Sequence, residues 1–253
     1  MNHTSESSRG AKSAPRDWRK QAIINIGKKA RRRIDSVIVK FSKLPVTPVF
    51  DNDDLPWAND LERNWRLIKD ECAAVMAERE KIPPLADISP DHERIAHREE
   101  WKSFFLWGYG YRSDVNCAKC PHTTRLVETI PGLQTAMFSI LSPGAHIPPH
   151  TGVTKAIFNC HLGLMIPAGL DQCWISIDDK KYNWNEGKII AFDDTYRHEV
   201  RNLTDKERVV LLLQVKRPVR FPGNLAANAF FQAVRHSPFV SDVRRNLTKW
   251  EKS

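Results

Sequence analysis

Downstream of Pro131-Gly132 no apolar segment of this chain runs far before a turn interrupts it. Ala136–Leu141 meets Ser142-Pro143-Gly144, Ala156–Ile166 meets Pro167–Gly169, and Cys173–Ile177 meets Asp178-Asp179; Lys188–Phe192, Glu199–Asn202 and Arg208–Val215 then follow at similar spacing. Segments this short, rich in Val, Ile, Leu and Phe and punctuated by Gly, Pro and Asp, read as strands and not helices. Six of them in succession predict a β-sandwich or jelly roll over about residues 130–220.

The N-terminal half reads differently, and with it the fold class becomes α+β. Ile23, Ile26, Ala30, Ile34, Val37, Ile38 and Phe41 recur at steps of three and four among basic residues, which predicts a basic amphipathic helix within residues 16–43. Residues 1–15, rich in Ser, Lys and Arg with no apolar run after them, read as a disordered leader and not a secretion signal. Leu44–Pro56, with three prolines, is an extended connector that opens a main domain at 44–253. Within it, helices are predicted at Asn59–Glu80, around Asp91–Glu100 and at Asn224–Val234, with a strand at Trp101–Tyr111 and a polar tail at the end.

The net charge is confined to one place. Residues 1–43 hold twelve Lys and Arg against Glu6, Asp17 and Asp35, a surplus of nine that equals the net charge of the whole chain; the other 210 residues carry 27 charges of each sign. A neutral body argues against nucleic acid as a partner. The basic arm, with Lys28, Lys29, Arg31, Arg32 and Arg33 off its apolar stripe, suits either of two placements. Its apolar face can pack on the body, or the arm can lie on an anionic membrane surface. No apolar run approaches the roughly 20 residues that span a bilayer, and five unevenly spread cysteines fit free thiols better than a disulfide framework. A cytoplasmic chain, peripheral on the inner face of a membrane, is the expectation.

Imidazoles on neighbouring strands of a jelly roll can converge on one metal ion. His150 ends the turn His146-Ile-Pro-Pro-His150, and His198 follows the corner Phe192-Asp-Asp-Thr-Tyr196. Each alone is more often structural, but the pair, with Arg208 ten residues after the second, forms a pattern: an arginine on the next strand can clamp the far carboxylate of a dicarboxylic co-substrate. Other candidates weigh less. Cys117-Ala-Lys-Cys120 has metal-ligand spacing but lacks a second pair, so a plain surface or core role is favoured. Asp193 and Asp194 can orient the His198 ring or merely form a turn, with a lean to the former. Trp101, Trp107, Tyr109 and Trp174 can line a cleft, although packing is the default for aromatic residues.

The runs Phe138-Ser-Ile-Leu-Ser-Pro-Gly-Ala-His-Ile-Pro-Pro-His150-Thr-Gly, His161-Leu-Gly-Leu-Met-Ile-Pro167, Trp184-Asn-Glu-Gly-Lys188, Phe192-Asp-Asp-Thr-Tyr-Arg-His198-Glu-Val and Arg208-Val-Val-Leu, in this order, resemble the aspartyl/asparaginyl β-hydroxylase superfamily, which includes bacterial hydroxylases of lipid A and ornithine-lipid acyl chains. The resemblance covers roughly Leu44–Pro218. It implies a double-stranded β-helix, iron(II), 2-oxoglutarate and dioxygen, and the oxidation of an unactivated C–H bond. His150 and His198 match the iron ligands, and Gly152 stands where most 2-oxoglutarate oxygenases place a carboxylate ligand. Arg208 and Ser139 match residues that bind the distal carboxylate, and His161 one near the metal-bound end. Asn159 and Met137 depart from the arginine and lysine of the vertebrate protein hydroxylases; Asn159, Gly152 and Trp101 are further candidate contacts to co-substrate or substrate.

The leading expectation is hydroxylation of an acyl chain in a membrane lipid, motivated by the basic arm and the bacterial resemblance. Hydroxylation of Asp or Asn side chains in a protein, or of a small amino acid, is the second reading. A non-catalytic membrane-surface binding module is the third, and it leaves the trio of His150, His198 and Arg208 without a use.

Overall fold

The computed structural model describes residues 31–90, 98–167 and 171–251. Residues 31–41 are helical (α1). There follow β1 (Val49–Phe50), α2 (Ala58–Arg63), α3 (Trp65–Met76), α4 (Leu85–Ile88), β2 (Trp101–Gly108), β3 (Tyr111–Arg112), α5 (Asp114–Lys119) and α6 (Pro121–Glu128). The β-rich half comprises β4 (Leu133–Leu141), β5 (His146–His150), β6 (Ile157–Met165), β7 (Cys173–Ile177), β8 (Lys180–Tyr182), β9 (Ile189–Phe192), β10 (His198–Asn202) and β11 (Arg208–Lys216). Two helices, α7 (Gly223–Arg235) and α8 (Pro238–Trp250), follow it.

The strands form two antiparallel sheets, in the orders β1-β9-β6-β11-β4-β2-β3 and β5-β10-β7-β8. From β4 to β11 the chain passes back and forth between the sheets, β4, β6, β9 and β11 in the larger and β5, β7, β8 and β10 in the smaller. That winding is the double-stranded β-helix, or jelly roll.

The larger sheet is covered on both faces, so β4, β6 and β11 are buried nearly throughout and read in sequence as continuous apolar runs. Strand alternation sorts the two faces. Phe138, Ile140, Phe158, Cys160, Leu162, Leu211 and Leu213 pack with Leu61, Ile68 and Cys72 of α2 and α3 and with Cys117, Cys120 and Val127 of α5 and α6. The residues between them, Met137, Val210 and Leu212, pack with Ile147, Ile175, Ile177 and Val200 of the smaller sheet. Polar residues on this inner face, namely Ser139, Asn159, His161 and Arg208, are thereby aimed into the space between the sheets.

Several expectations need correction. The helix predicted at Asn59–Glu80 breaks at Asn64, whose φ and ψ of −101° and 11° leave the helical region. Trp101–Tyr111 is a hairpin and not one strand, because Tyr109 and Gly110 turn at φ values of 53° and 84°. Most of the helix expected at 91–100 lies outside the described residues; Arg98–Glu100 is a 3-10 turn. The polar tail is largely α8: Ser237 caps it by accepting from Val240 N at 3.4 Å, and Val240, Val243 and Leu247 are buried at helical spacing. Cys117 and Cys120 lie in the core, where burial pushes both thiols up, Cys120 to about 12.

The leader and the front of the amphipathic arm, with Lys28 and Lys29, lie outside the described residues. The described part docks on the body. Ile38 is fully buried with Ala156 and Ala227, and Ile34 packs there beside Phe230 and Phe231. Asp35 fixes the docking by accepting from Thr154 Oγ1 at 2.7 Å and Lys155 N at 2.9 Å. Arg32 and Arg33 remain exposed, and Arg31 is half-buried, 4.0 Å from Asp35. No described helix is long and apolar enough to cross a membrane.

Candidate active site

β5 is an edge strand of the smaller sheet, which is how it tolerates Pro148 and Pro149. Its antiparallel register with β10 sets His150 directly opposite His198. The ring centroids are 4.1 Å apart, tilted by 53°. His150 Nδ1 lies 2.8 Å from Pro148 O and His198 Nδ1 lies 2.9 Å from Tyr196 O. A carbonyl can only accept, so each Nδ1 carries the proton and each Nε2 keeps its lone pair, the tautomer a metal ligand needs. Burial, and then the neighbouring His150, push His198 down to about 4, so it is neutral at physiological pH. Among the described residues no group of three or more His, Cys, Asp or Glu is arranged around a metal position; the histidines stand as a pair.

Gly152 faces Asp194. A Cβ built on Gly152 would come within 3 Å of the Asp194 carboxylate, closer than real Cβ atoms approach. The carboxylate of residue 194 therefore fills the space a side chain at 152 would occupy. Asn159 Nδ2 donates to Asp194 Oδ2 at 3.4 Å, and Oδ1 has no partner. Burial, and next Asp193, raise this carboxyl to about 7. Asp193 holds the corner instead: it accepts from Arg217 at 2.7 Å, Lys155 at 2.9 Å, and the Thr195 hydroxyl and backbone N at 2.6 and 3.0 Å, and so pins the turn before His198. No aspartate carboxylate orients a histidine ring; Asp194 acts on His198 through its backbone, alongside the Tyr196 carbonyl.

Arg208 is 1% exposed and has no acidic partner among the described residues. Its guanidinium lies 4.8 Å from the Trp184 ring and donates weakly to Ser139 O at 3.4 Å, while Nε has no partner. Ser139 Oγ accepts from Trp101 Nε1 at 2.9 Å, which leaves the hydroxyl proton available to donate. His161 is buried between Trp184 and Phe192, its Nδ1 also without a partner. Burial, and then the charge of Arg208, hold it well below the usual histidine range. Trp184 was not singled out from the sequence, although it opens one of the family-like runs; it is the platform on which Arg208 and His161 rest.

These groups line one cavity of about 810 Å3. His150, Gly152, Asn159, His161, Asp194, His198, Arg208, Ser139 and Trp101 lie at one end. From there it follows the inner face of β11 past Leu212 and Gln214 to Lys216, bounded by Phe105, Met137 and Leu133, and reaches Phe230, Phe231 and Val234 of α7. Eight residue steps of β11 make this roughly 25 Å long. Tyr109 and Met137 line it, whereas Trp107 and Trp174 do not.

The aspartyl/asparaginyl β-hydroxylase model matches residues 62–218. The chain belongs to that family. Among its relatives is the ornithine lipid ester-linked acyl 2-hydroxylase of Rhizobium tropici, 38% identical over 218 residues, which are 86% of this chain and 78% of the relative. The aspartyl/asparaginyl β-hydroxylase of Homo sapiens is 35% identical over 167 residues, 64% of this chain but 21% of that longer protein. Among solved structures, a Pseudomonas putida prolyl-4-hydroxylase aligns with 61% of this chain and 88% of its own, at a TM-score of 0.42 and 18% identity.

Proposed function

We propose that this member of the family is an iron(II)- and 2-oxoglutarate-dependent hydroxylase acting on an acyl chain of a membrane lipid. The observation that carries the reading is the shape of the cavity: a long apolar passage that ends at paired metal-competent histidines and a buried guanidinium with no counter-ion among the described residues. A buried cation without a partner is costly, so Arg208 fits a site built for a carboxylate supplied by a ligand. The Rhizobium tropici relative, named for action on a lipid acyl group, supports the same substrate class.

The residues present suit the implied groups. His150 and His198 would hold iron through Nε2, and Gly152, two residues past β5, offers no side-chain ligand of its own. Arg208 and the Ser139 hydroxyl would take the distal carboxylate of 2-oxoglutarate, with His161 near its other end. Iron with 2-oxoglutarate and dioxygen supplies the oxidation of an unactivated C–H bond, one oxygen atom going to substrate and one to the succinate formed with carbon dioxide. This chain positions the C–H, keeps His198 neutral, and excludes water with Phe105, Met137 and Leu212. The exposed Arg32 and Arg33 of α1 would face an anionic leaflet.

Two measurements test this. Lipid extracts from cells with and without the gene should differ by one oxygen atom on an acyl group; identical extracts, with turnover of an Asp- or Asn-containing peptide by the purified protein, would install the protein-hydroxylase reading instead. Anaerobic addition of iron(II) and 2-oxoglutarate should produce a weak visible charge-transfer band. Its absence would favour a binding module.

A further inference from the structure

The far end of the cavity carries a second group of cations that the chemistry at the histidines does not use. Lys216 is the last residue of β11 and, by strand alternation, points inward like Arg208. It is half-buried, with Nζ 4.4 Å from the Phe231 ring centroid. Arg235, at the end of α7, lines the same stretch of cavity, and its guanidinium lies 5.1 Å from the Tyr111 ring. Arg244 of α8 shares that ring at 4.6 Å. None of the three makes an ion pair among the described residues. The nearby acids are engaged elsewhere, Asp114 and Glu128 with Arg112 and Asp242 with Arg245. Asp194, at the opposite end, is the only acid among the described residues that line the cavity.

Lys216 and Arg235 line this end of the cavity with no acid beside them among the described residues, Arg244 stands next to them on the Tyr111 ring, and Lys216 registers the crowding: burial, and then Arg235, depress its proton affinity. Aromatic rings hold the side chains in place without neutralising them. Such a cluster is complementary to an anion, and it sits where an apolar chain reaching the histidines would emerge.

We propose that Lys216 and Arg235, with Arg244 beside them, bind the carboxylate or phosphate of the substrate lipid's headgroup while its acyl chain lies along β11 towards His150 and His198. This rests on the acyl-chain reading above. The separation between cluster and histidines then acts as a ruler from the anion, selecting which carbon is presented.

The test uses the full chain and isothermal titration with N-hexadecanoylglycine, its methyl ester and hexadecyl phosphate, each below its self-association concentration. The wild type is expected to bind both anions at least about tenfold more tightly than the ester, the effect of one charge-assisted hydrogen bond. The Lys216→Met/Arg235→Gln variant should bring acid and ester within about twofold of each other by weakening the acid alone, while Lys216→Arg retains the preference. Equal binding of acid and ester by the wild type, or a variant that weakens both alike, overturns the headgroup site and leaves the acyl-chain reading standing. If no probe binds, the acyl-chain reading falls as well. Loss of flotation with anionic vesicles and an unchanged acid-to-ester ratio would also overturn the proposal, by assigning the cluster to the bulk membrane surface.

Discussion

Replacing Arg208 with methionine should stabilise the ligand-free protein. Burial lowers the proton affinity of this guanidinium from its ordinary value to about 10, and at about 1.4 kcal/mol for each tenfold change that costs about 3 kcal/mol. Between pH 10 and the ordinary arginine value the unfolded chain binds the extra proton; below pH 10 both states are charged, so the cost is complete at pH 7. Methionine has similar reach and no charge. It forgoes the contact with Trp184, worth about 1–2 kcal/mol, and the 3.4 Å hydrogen bond to Ser139 O is too long to add much. The net gain is about 1–2 kcal/mol, or a rise in Tm of roughly 3–6 °C for a chain of this size. Thermal melts with anaerobic manganese(II), with and without 2-oxoglutarate, give the second half. The wild type at a hundredfold excess over Kd should gain about 2.7 kcal/mol from the co-substrate, and the variant should gain nearly none. A variant that melts below the wild type, or that 2-oxoglutarate still stabilises, would refute the argument that this charge is held unpaired for a ligand.

Gly152→Ala should cost about 1–3 kcal/mol by overpacking against Asp194, and pairing it with Asp194→Ala should recover most of the loss; simple additivity in a chemical-denaturation cycle would sink the idea that the two share one space. Asp194→Asn removes a carboxyl whose proton affinity is raised in the fold to about 7. Stability associated with its protonated form is present near pH 4 and lost as pH rises through 7, so the variant should outlast wild-type apoprotein by a few kcal/mol at pH 8 and by little at pH 4. An advantage independent of pH would contradict that assignment. Asp35→Ala deletes two hydrogen bonds to Thr154 and Lys155 and should cost about 1–2 kcal/mol, read as faster limited proteolysis within residues 31–41 and not in β4 or β11. Leu247→Ala, in the helix that replaces the expected tail, should cost about 2–5 kcal/mol; a neutral result by denaturant melt would mean that α8 is not part of the folded body.

What the sequence disclosed depended on whether the signal was local. β7 was legible to the residue and β11 to within one, because their apolar runs end at turn residues. β5 was not, since Pro148 and Pro149 argue against a strand everywhere except an edge. α5 and α6 were missed because they are single short helices of six and eight residues, and α8 because one buried stripe is spread among polar residues despite the Ser237-Pro238 start. The histidine pair and Arg208 could be named from order and spacing. That Arg208 lacks a counter-ion among the described residues could not be, and neither could the filling of Gly152's space by a residue forty-two positions away, because both depend on what the fold does or does not bring alongside.

The docking of α1 has a further consequence. Ile34 and Ile38 press against the same α7 surface whose Phe230 and Phe231 form a wall of the cavity, so arm and passage share a partition one side chain thick. Docked in this way, Ile34 and Ile38 cannot also be buried in lipid. What the described part of the arm leaves exposed is charge, at Arg32 and Arg33, and salt screens such charge beyond a Debye length of about 8 Å. The side chains of α1 and α7 are thus at once the seat of residues 31–41 and a wall of the passage, so a truncation such as Ile38→Ala thins the partition as well as loosening the arm.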